Sequence, residues 1–158
     1  VLVIGGAGKS GMLCLYEAKK IVGPNGKVIC LGRSEASMDK VKKANLADYY
    51  MVADATKPVE VLEKVKEITN GEMADVTINC VNINKTEMSS ILATKDDGTI
   101  YFFSMATSFT TAALGAEGVG MDTTMIIGNG YTRGHAAIAL DIMRESKELR
   151  EVYTELYA

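Results

Sequence analysis

Three glycines near the start of the chain, Gly6, Gly8 and Gly11, stand in the spacing G-x-G-x-x-G within VLVIGGAGKSG. Glycines so spaced let a backbone turn tightly, approach a phosphate with no Cβ in the way, and start a helix packed close on the preceding strand. Ala7, Lys9 and Ser10 complete the same loop. The chemistry is anion binding: N–H groups at the mouth of a helix, reinforced by its dipole, point at a phosphate. Gly8-Lys9-Ser10 also ends the way the phosphate loop G-x-x-x-x-G-K-[ST] of nucleoside triphosphatases ends. That loop needs a glycine at position 3, which here is Val3, inside an apolar run. A β-branched residue does not take the conformations that glycine tolerates there. No acidic magnesium ligand ends a later apolar run in the triphosphatase manner. The spacing therefore reads as a dinucleotide site, with Gly6 in the turn, Gly8 at the diphosphate and Gly11 beneath the helix.

The second apolar run, KVICLG, decides which dinucleotide. An NAD site ends that strand with a carboxylate that accepts from the ribose hydroxyls. Here it ends Gly32-Arg33-Ser34. Arg33 cannot accept, but its forked guanidinium suits a 2′-phosphate and Ser34 can donate to the same group. Lys9 adds a nearby cation. NADP is the expected cofactor, with NAD kept as the alternative. Two competing readings stay open: Arg33 as a solvated charge with Ser34 capping a helix, or Glu35 turning in to serve NAD. Asp54, in VADAT, falls where this architecture borders the adenine, although an exposed turn aspartate explains it equally. Cys80 and Val81 close the fourth apolar run, on the nicotinamide half. The only histidine, His135, follows TRG at the start of a helical stretch. Its simpler reading is part of a helix cap formed by Thr132 or Gly134; Tyr131 and Arg133 are read the same way.

The elements that must position these residues are legible as β-rich apolar runs alternating with helical stretches. The runs are 1–4, 27–31, 49–53, 75–81, 99–105 and 123–128. Helical periodicity covers 10–22, 37–47, 59–69 and 84–94, and one or two helices close the chain from His135. Pro58 marks a helix start and Asn70-Gly71 its stop. Strands this apolar, separated by helices, predict a doubly wound, six-stranded parallel sheet with helices on both faces. The stretch 104–122, SMATSFTTAALGAEGVGMD, lacks clear periodicity and reads as a loop, either over a ligand or plainly on the surface.

The chain has 158 residues, about one domain. Its 47% hydrophobic and 23% charged content is that of an ordinary globular protein. A net charge of −3 offers no basic surface for nucleic acid. No apolar run approaches the ~20 residues needed to span a membrane. Cys14, Cys30 and Cys80 are too widely spaced for a zinc site or a disulfide framework and read as buried thiols in a reducing cytoplasm. No metal site is expected. The chain opens inside a strand and stops in a helical pattern, which reads as one dinucleotide-binding domain over 1–158, a piece of a longer protein. A short-chain dehydrogenase would need Tyr-x-x-x-Lys after its fifth helix; Tyr16 and Lys20 have that spacing, but they lie in the first.

The segments VLVIGGAGKSGMLCLYEAKKIVG, VICLGRS, ADVTINCVN and DDGTIYFFS resemble the cofactor-binding (Rossmann) domain of the medium-chain dehydrogenases, the superfamily of zinc alcohol dehydrogenases. The resemblance extends over essentially the whole chain. MDTTMIIGNGYTRGHAAIALDIMRES more particularly resembles amino-acid oxidoreductases of bacterial lysine fermentation. The resemblance implies Gly6, Gly8 and Gly11 as fingerprint glycines and Gly32, Arg33 and Ser34 as the NADP-type loop. It places Cys80, Val81, Ser104, Met105, Gly128 and Asn129 on the nicotinamide side. It implies oxidative deamination of a small amino-acid substrate, bound with a catalytic domain outside these residues. The domain alone is then expected to be inactive. No catalytic base is assigned, and a homo-oligomer is left open. Two alternatives remain: the cofactor domain of an alcohol dehydrogenase or quinone reductase, or a non-catalytic nucleotide sensor.

Overall fold

A computed structural model describes residues 1–128 and 132–158. Six parallel strands alternate with seven helices among these residues. The strands are β1 (Leu2–Ile4), β2 (Ile29–Gly32), β3 (Tyr49–Val52), β4 (Ala74–Asn79), β5 (Thr94–Phe102) and β6 (Thr124–Ile127). The helices are α1 (Lys9–Ile21), α2 (Glu35–Lys43), α3 (Pro58–Thr69), α4 (Glu87–Ala93), α5 (Phe109–Val119), α6 (His135–Glu145) and α7 (Lys147–Tyr157). The strand order is β3-β2-β1-β4-β5-β6, the order expected of a doubly wound dinucleotide fold. The chain leaves β1 toward one edge and returns at β4 toward the other. A crevice must open between their carboxyl ends.

β1 and β2 are buried on both faces, which explains their unbroken apolar sequence. Within β1, Val3 joins one cluster with Met12 and Leu15 of α1, Met38 and Val41 of α2, Ile142 of α6, and Leu149 and Val152 of α7. Leu2 and Ile4 face the other way, onto Val61 and Val65 of α3. A third cluster joins Ile100 and Phe102 of β5 to Ile91 of α4 and to Ala112 and Ala116 of α5. The period of two in β1 thus sorts its side chains between two helical layers.

The helix signals act as read. Pro58 opens α3, and Asn70 closes it in the left-handed conformation with φ 54°. Ser34 caps α2, its Oγ accepting from Ser37 N at 3.3 Å, so that helix begins at Glu35 rather than 37. Ser146 breaks the carboxyl-terminal stretch into α6 and α7 by capping Leu149 N at 3.1 Å.

The stretch 104–122 departs from expectation. It is not one loop: α5 occupies Phe109–Val119, capped by Ser108 and closed by the left-handed Gly120. Its small apolar and hydroxyl residues carry no charged outer face, so burial leaves no contrast along the sequence. Only Ala112 and Ala116 are buried, four residues apart. β5 also begins earlier than expected, at Thr94, pairing with Ala74 before a register shift absorbs the Asp96-Asp97-Gly98 excursion. No helix among the described residues is long and apolar enough to cross a membrane.

Candidate functional site

A cleft of about 480 Å³ opens where the strand order reverses, at the carboxyl ends of β1 to β4. The β1 end contributes Gly5, Ala7 and Gly8, the β2 end Gly32 and Arg33, the β3 end Asp54 and Thr56, and the β4 end Cys80, Val81 and Ile83.

The loop after β1 is built from close backbone contacts. Gly5 N and Gly6 N both donate to Leu31 O, at 2.9 and 3.1 Å, and Gly8 N donates to Gly5 O at 3.0 Å. The left-handed residue is Gly5, with φ +80°, not Gly6. Gly6 instead lies where a Cβ would fall 2.5 Å from Cys30 Sγ. A Cβ on Gly11 would fall 2.2 Å from Gly5 O and 2.7 Å from Gly6 Cα, so α1 packs directly on the loop. Gly8 ends the loop in extended conformation, and no side chain among the described residues caps α1. The first-turn amides of α1, including Ser10 N, have no acceptor within the helix. An uncapped helix mouth beside a groove of this size fits a diphosphate.

Arg33 stands exposed at the cleft wall. Glu35 pairs with Lys42 at 3.2 Å, on the solvent side of α2. Lys9 lies elsewhere than the sequence suggested: its ammonium sits over the Tyr157 ring, 4.1 Å from the centroid, and its carbonyl accepts from Tyr153 Oη. Lys9 is thus in contact with α7 and is not among the residues lining the cleft.

Asp54 Oδ1 accepts from Thr56 N at 2.9 Å and from Thr56 Oγ1 at 2.8 Å. These bonds from Thr56, with Lys57 and Arg33 nearby, hold its carboxyl below the ordinary aspartate value. A carboxylate depressed in the fold contributes fully above its unfolded pKa of about 3.9 and is lost as pH falls through the lower folded value. The Thr56 amide resonance should therefore stay fixed down to about pH 4 and shift only in more acidic solution. Movement well above that pH would mean the turn is held by something else.

At the end of β4, Asn79 is fully buried. Its Nδ2 donates to Thr86 Oγ1 at 2.9 Å and to Ser90 Oγ at 3.0 Å, and its Oδ1 accepts from Val81 N at 3.0 Å. It fixes the 80–86 loop and was not anticipated from the sequence; an amide at the end of a β-rich run was the available signal. Glu87, also buried, accepts from Ser108 N at 2.7 Å and so ties α4 to the start of α5. Its other oxygen has no partner among the described residues. Ser104 donates to Asn82 Oδ1 at 3.3 Å and accepts from Ala106 N at 3.0 Å. Gly128 O accepts from Tyr101 Oη at 3.0 Å. Met105 is exposed next to Ser104. Asn129 and Tyr131 lie outside the described residues.

The structure thus brings Ala7, Gly8, Gly32, Arg33, Asp54, Cys80 and Val81 around one cleft. Gly6 and Gly11 lie behind its walls as structural supports, and Ser34 is exposed beside Arg33, where it caps α2. Ser104 and Gly128 lie further along the sheet, at the ends of β5 and β6. His135 borders a different, apolar groove between α1 and α6; its Nδ1 is 2.6 Å from Thr132 O, and Gly134 is the N-cap of α6. Gly5, Thr56 and Ile83 line the cleft without having been singled out. Among the described residues, no three His, Cys, Asp or Glu side chains come together in a way that could hold a metal ion.

Known proteins match this arrangement. The chain is 57% identical to L-erythro-3,5-diaminohexanoate dehydrogenase of Acetoanaerobium sticklandii over 157 residues, covering 99% of this chain and 46% of that protein. It is 55% identical to the same enzyme of Fusobacterium nucleatum, with the same coverage. The chain therefore spans about half the length of these curated relatives. An alcohol dehydrogenase from Thermotoga maritima superposes with a TM-score of 0.72 at 16% identity, over 98% of this chain and 41% of that one. A mycobacterial protein solved as a complex with NADPH superposes with a TM-score of 0.69 at 17% identity, over 91% and 45%. These two likenesses are in the fold. The zinc-binding dehydrogenase family matches residues 11–145, and the chain belongs to that family, as its nicotinamide-dinucleotide-binding Rossmann domain.

Proposed function

We propose that this chain is the NADP-binding domain of an L-erythro-3,5-diaminohexanoate dehydrogenase. The enzyme would oxidatively deaminate its substrate to 5-amino-3-oxohexanoate. The observation that carries this reading is identity of 55–57% sustained across 99% of the chain, with the cleft intact. The amide of Ala7 and the first-turn amides of α1 hold the diphosphate, on a loop whose Gly5, Gly6 and Gly8 amides bond back to Leu31 O and Gly5 O. Arg33 and Ser34 hold the 2′-phosphate. The Asp54–Thr56 turn shapes the wall on the adenosine side. Cys80, Val81, Ser104 and Gly128 orient the nicotinamide half. When bound, the cofactor supplies the hydride acceptor. The substrate is held with a catalytic domain beyond these residues, and this domain alone does not turn over. Three free thiols favour the cytoplasm.

The choice of NADP over NAD rests on the end of β2. No carboxylate stands there, and Glu35 is engaged by Lys42 at 3.2 Å. The full-length enzyme should reduce NADP in the presence of 3,5-diaminohexanoate, followed by nicotinamide absorbance, and release ammonia in equal amount. Turnover of simple secondary alcohols with none of the diamino acid would overturn the substrate assignment.

A further inference from the structure

Thr86, Glu87, Ser89 and Ser90, in the turn that opens α4, are polar and buried. Their bonds reach three separate segments at the carboxyl edge of the sheet. Ser89 Oγ donates to Ala55 O at 2.7 Å, in the loop after β3. Thr86 and Ser90 receive the Asn79 amide at the end of β4. Glu87 Oε1 accepts at 2.7 Å from the amide of Ser108, the N-cap of α5. The segment 103–108 is tied to the β4 end twice more. Phe103 N donates to Asn79 O at 3.0 Å, and Ser104 Oγ to Asn82 Oδ1 at 3.3 Å. The Glu87 bond completes a cap that α5 lacks in its own sequence. In a capping box the residue three beyond the N-cap is Glu or Gln and accepts from the N-cap amide. In α5 that residue is Thr111, which donates its amide and hydroxyl to Ser108 Oγ instead, and no acidic residue stands in the first turn. A glutamate at position 111, which is exposed, would accept the same bond with no oxygen buried. Glu87 accepts it from another helix, at the cost of a buried oxygen with no partner among the described residues. What the arrangement gains is a link between two loops.

We propose that Glu87 is a positioning residue for the nicotinamide half of the cofactor: by holding the Ser108 amide it fixes the 103–108 segment against the 80–86 loop. The two loops carry Ser104 on one side and Cys80 and Val81 on the other, so their spacing sets where the ring is received. Ser89 and the Asn79 amide anchor α4 without Glu87. Losing the Glu87 acceptor therefore frees the start of α5 and leaves α4 in place. The adenosine side, with Arg33 and Asp54 at the ends of β2 and β3, is not reached by this bond. The proposal rests on the reading of Cys80, Val81 and Ser104 as nicotinamide-side residues, and on neither the substrate nor the choice between NADP and NAD.

The test is calorimetric titration of the full-length protein with NADPH and NADH, each beside its counterpart without the nicotinamide, 2′-phospho-ADP-ribose and ADP-ribose. The pair that the wild type binds more tightly is then followed in the variants. Glu87→Ala should weaken the whole cofactor about tenfold, the worth of one hydrogen bond, and leave the ring-free counterpart within about twofold. Glu87→Gln keeps an acceptor for Ser108 N and should bind both ligands as the wild type does. Binding of the ring-free counterpart also reports that each variant is folded. Equal losses for both ligands in Glu87→Ala, or failure of that variant to fold, would show a purely structural role and overturn the proposal. Unchanged affinity for the whole cofactor, or a Glu87→Gln as weak as Glu87→Ala, would overturn it as well. A wild type that binds the whole cofactor no more tightly than its ring-free counterpart would remove the nicotinamide-side reading itself, and the proposal with it.

Discussion

Gly11→Ala should destabilise the domain by about 2–3 kcal/mol, the upper range for overpacking a tight contact, and should weaken dinucleotide binding on the order of 100-fold. The new Cβ would lie 2.2 Å from Gly5 O and 2.7 Å from Gly6 Cα. Both are backbone atoms, so no side chain can swing away. Helix α1 must lift from the loop, and its first-turn amides must retreat from the cleft. Losing two charge-assisted bonds to a diphosphate costs about 3 kcal/mol, which is roughly that change in affinity. Urea melts and titration with the reduced cofactor measure the two effects separately. The matched control is Gly118→Ala in α5, where nothing lies within 4 Å of the added Cβ. That change should be neutral or stabilise by about 0.5–1 kcal/mol, because alanine loses less backbone entropy in a helix. Equal behaviour of the two variants would show that α1 does not depend on a bare backbone at position 11.

Arg33→Asp should reverse cofactor preference. The wild type should bind NADP more tightly than NAD. The variant should lose about 1.5–3 kcal/mol toward NADP, the worth of a hydrogen bond to a charged group, or on the order of 10- to 100-fold. Toward NAD it should gain, since the new carboxylate can accept from ribose hydroxyls at the end of β2. Arg33 is exposed at the cleft wall and Asp54 is its acidic neighbour across that wall, so the substitution disturbs no core contact. Unchanged NADP affinity would refute the assignment of this loop to a 2′-phosphate. A parallel fall for both cofactors would mean that Arg33 acts on the cleft as a whole.

Much of this protein was legible in one dimension because its cues are local. The G-x-G-x-x-G spacing, the Pro58 and Asn70 boundaries and the double-sided apolar strands each depend on neighbours a few residues away. Burial on both faces removes the alternation of a half-exposed strand, so a parallel sheet announces itself. α5 was missed for the converse reason: small residues of similar polarity surround it, and helical burial prints no pattern on them. The left-handed Gly5 was missed because two adjacent glycines, Gly5 and Gly6, look alike until Leu31 O and Cys30 Sγ assign them different tasks.

The sequence by itself determined the class of sheet, the glycine loop between β1 and α1, and the cationic end of β2. Tertiary structure alone decided which of those residues share the cleft. Lys9 meets α7 through a contact spanning 144 residues, and Asn79 anchors the loop after β4 through Thr86 and Ser90. Such pairings depend on how strands order themselves across the sheet and how helices close over it. Those contacts join positions far apart in the chain, and no local periodicity records them.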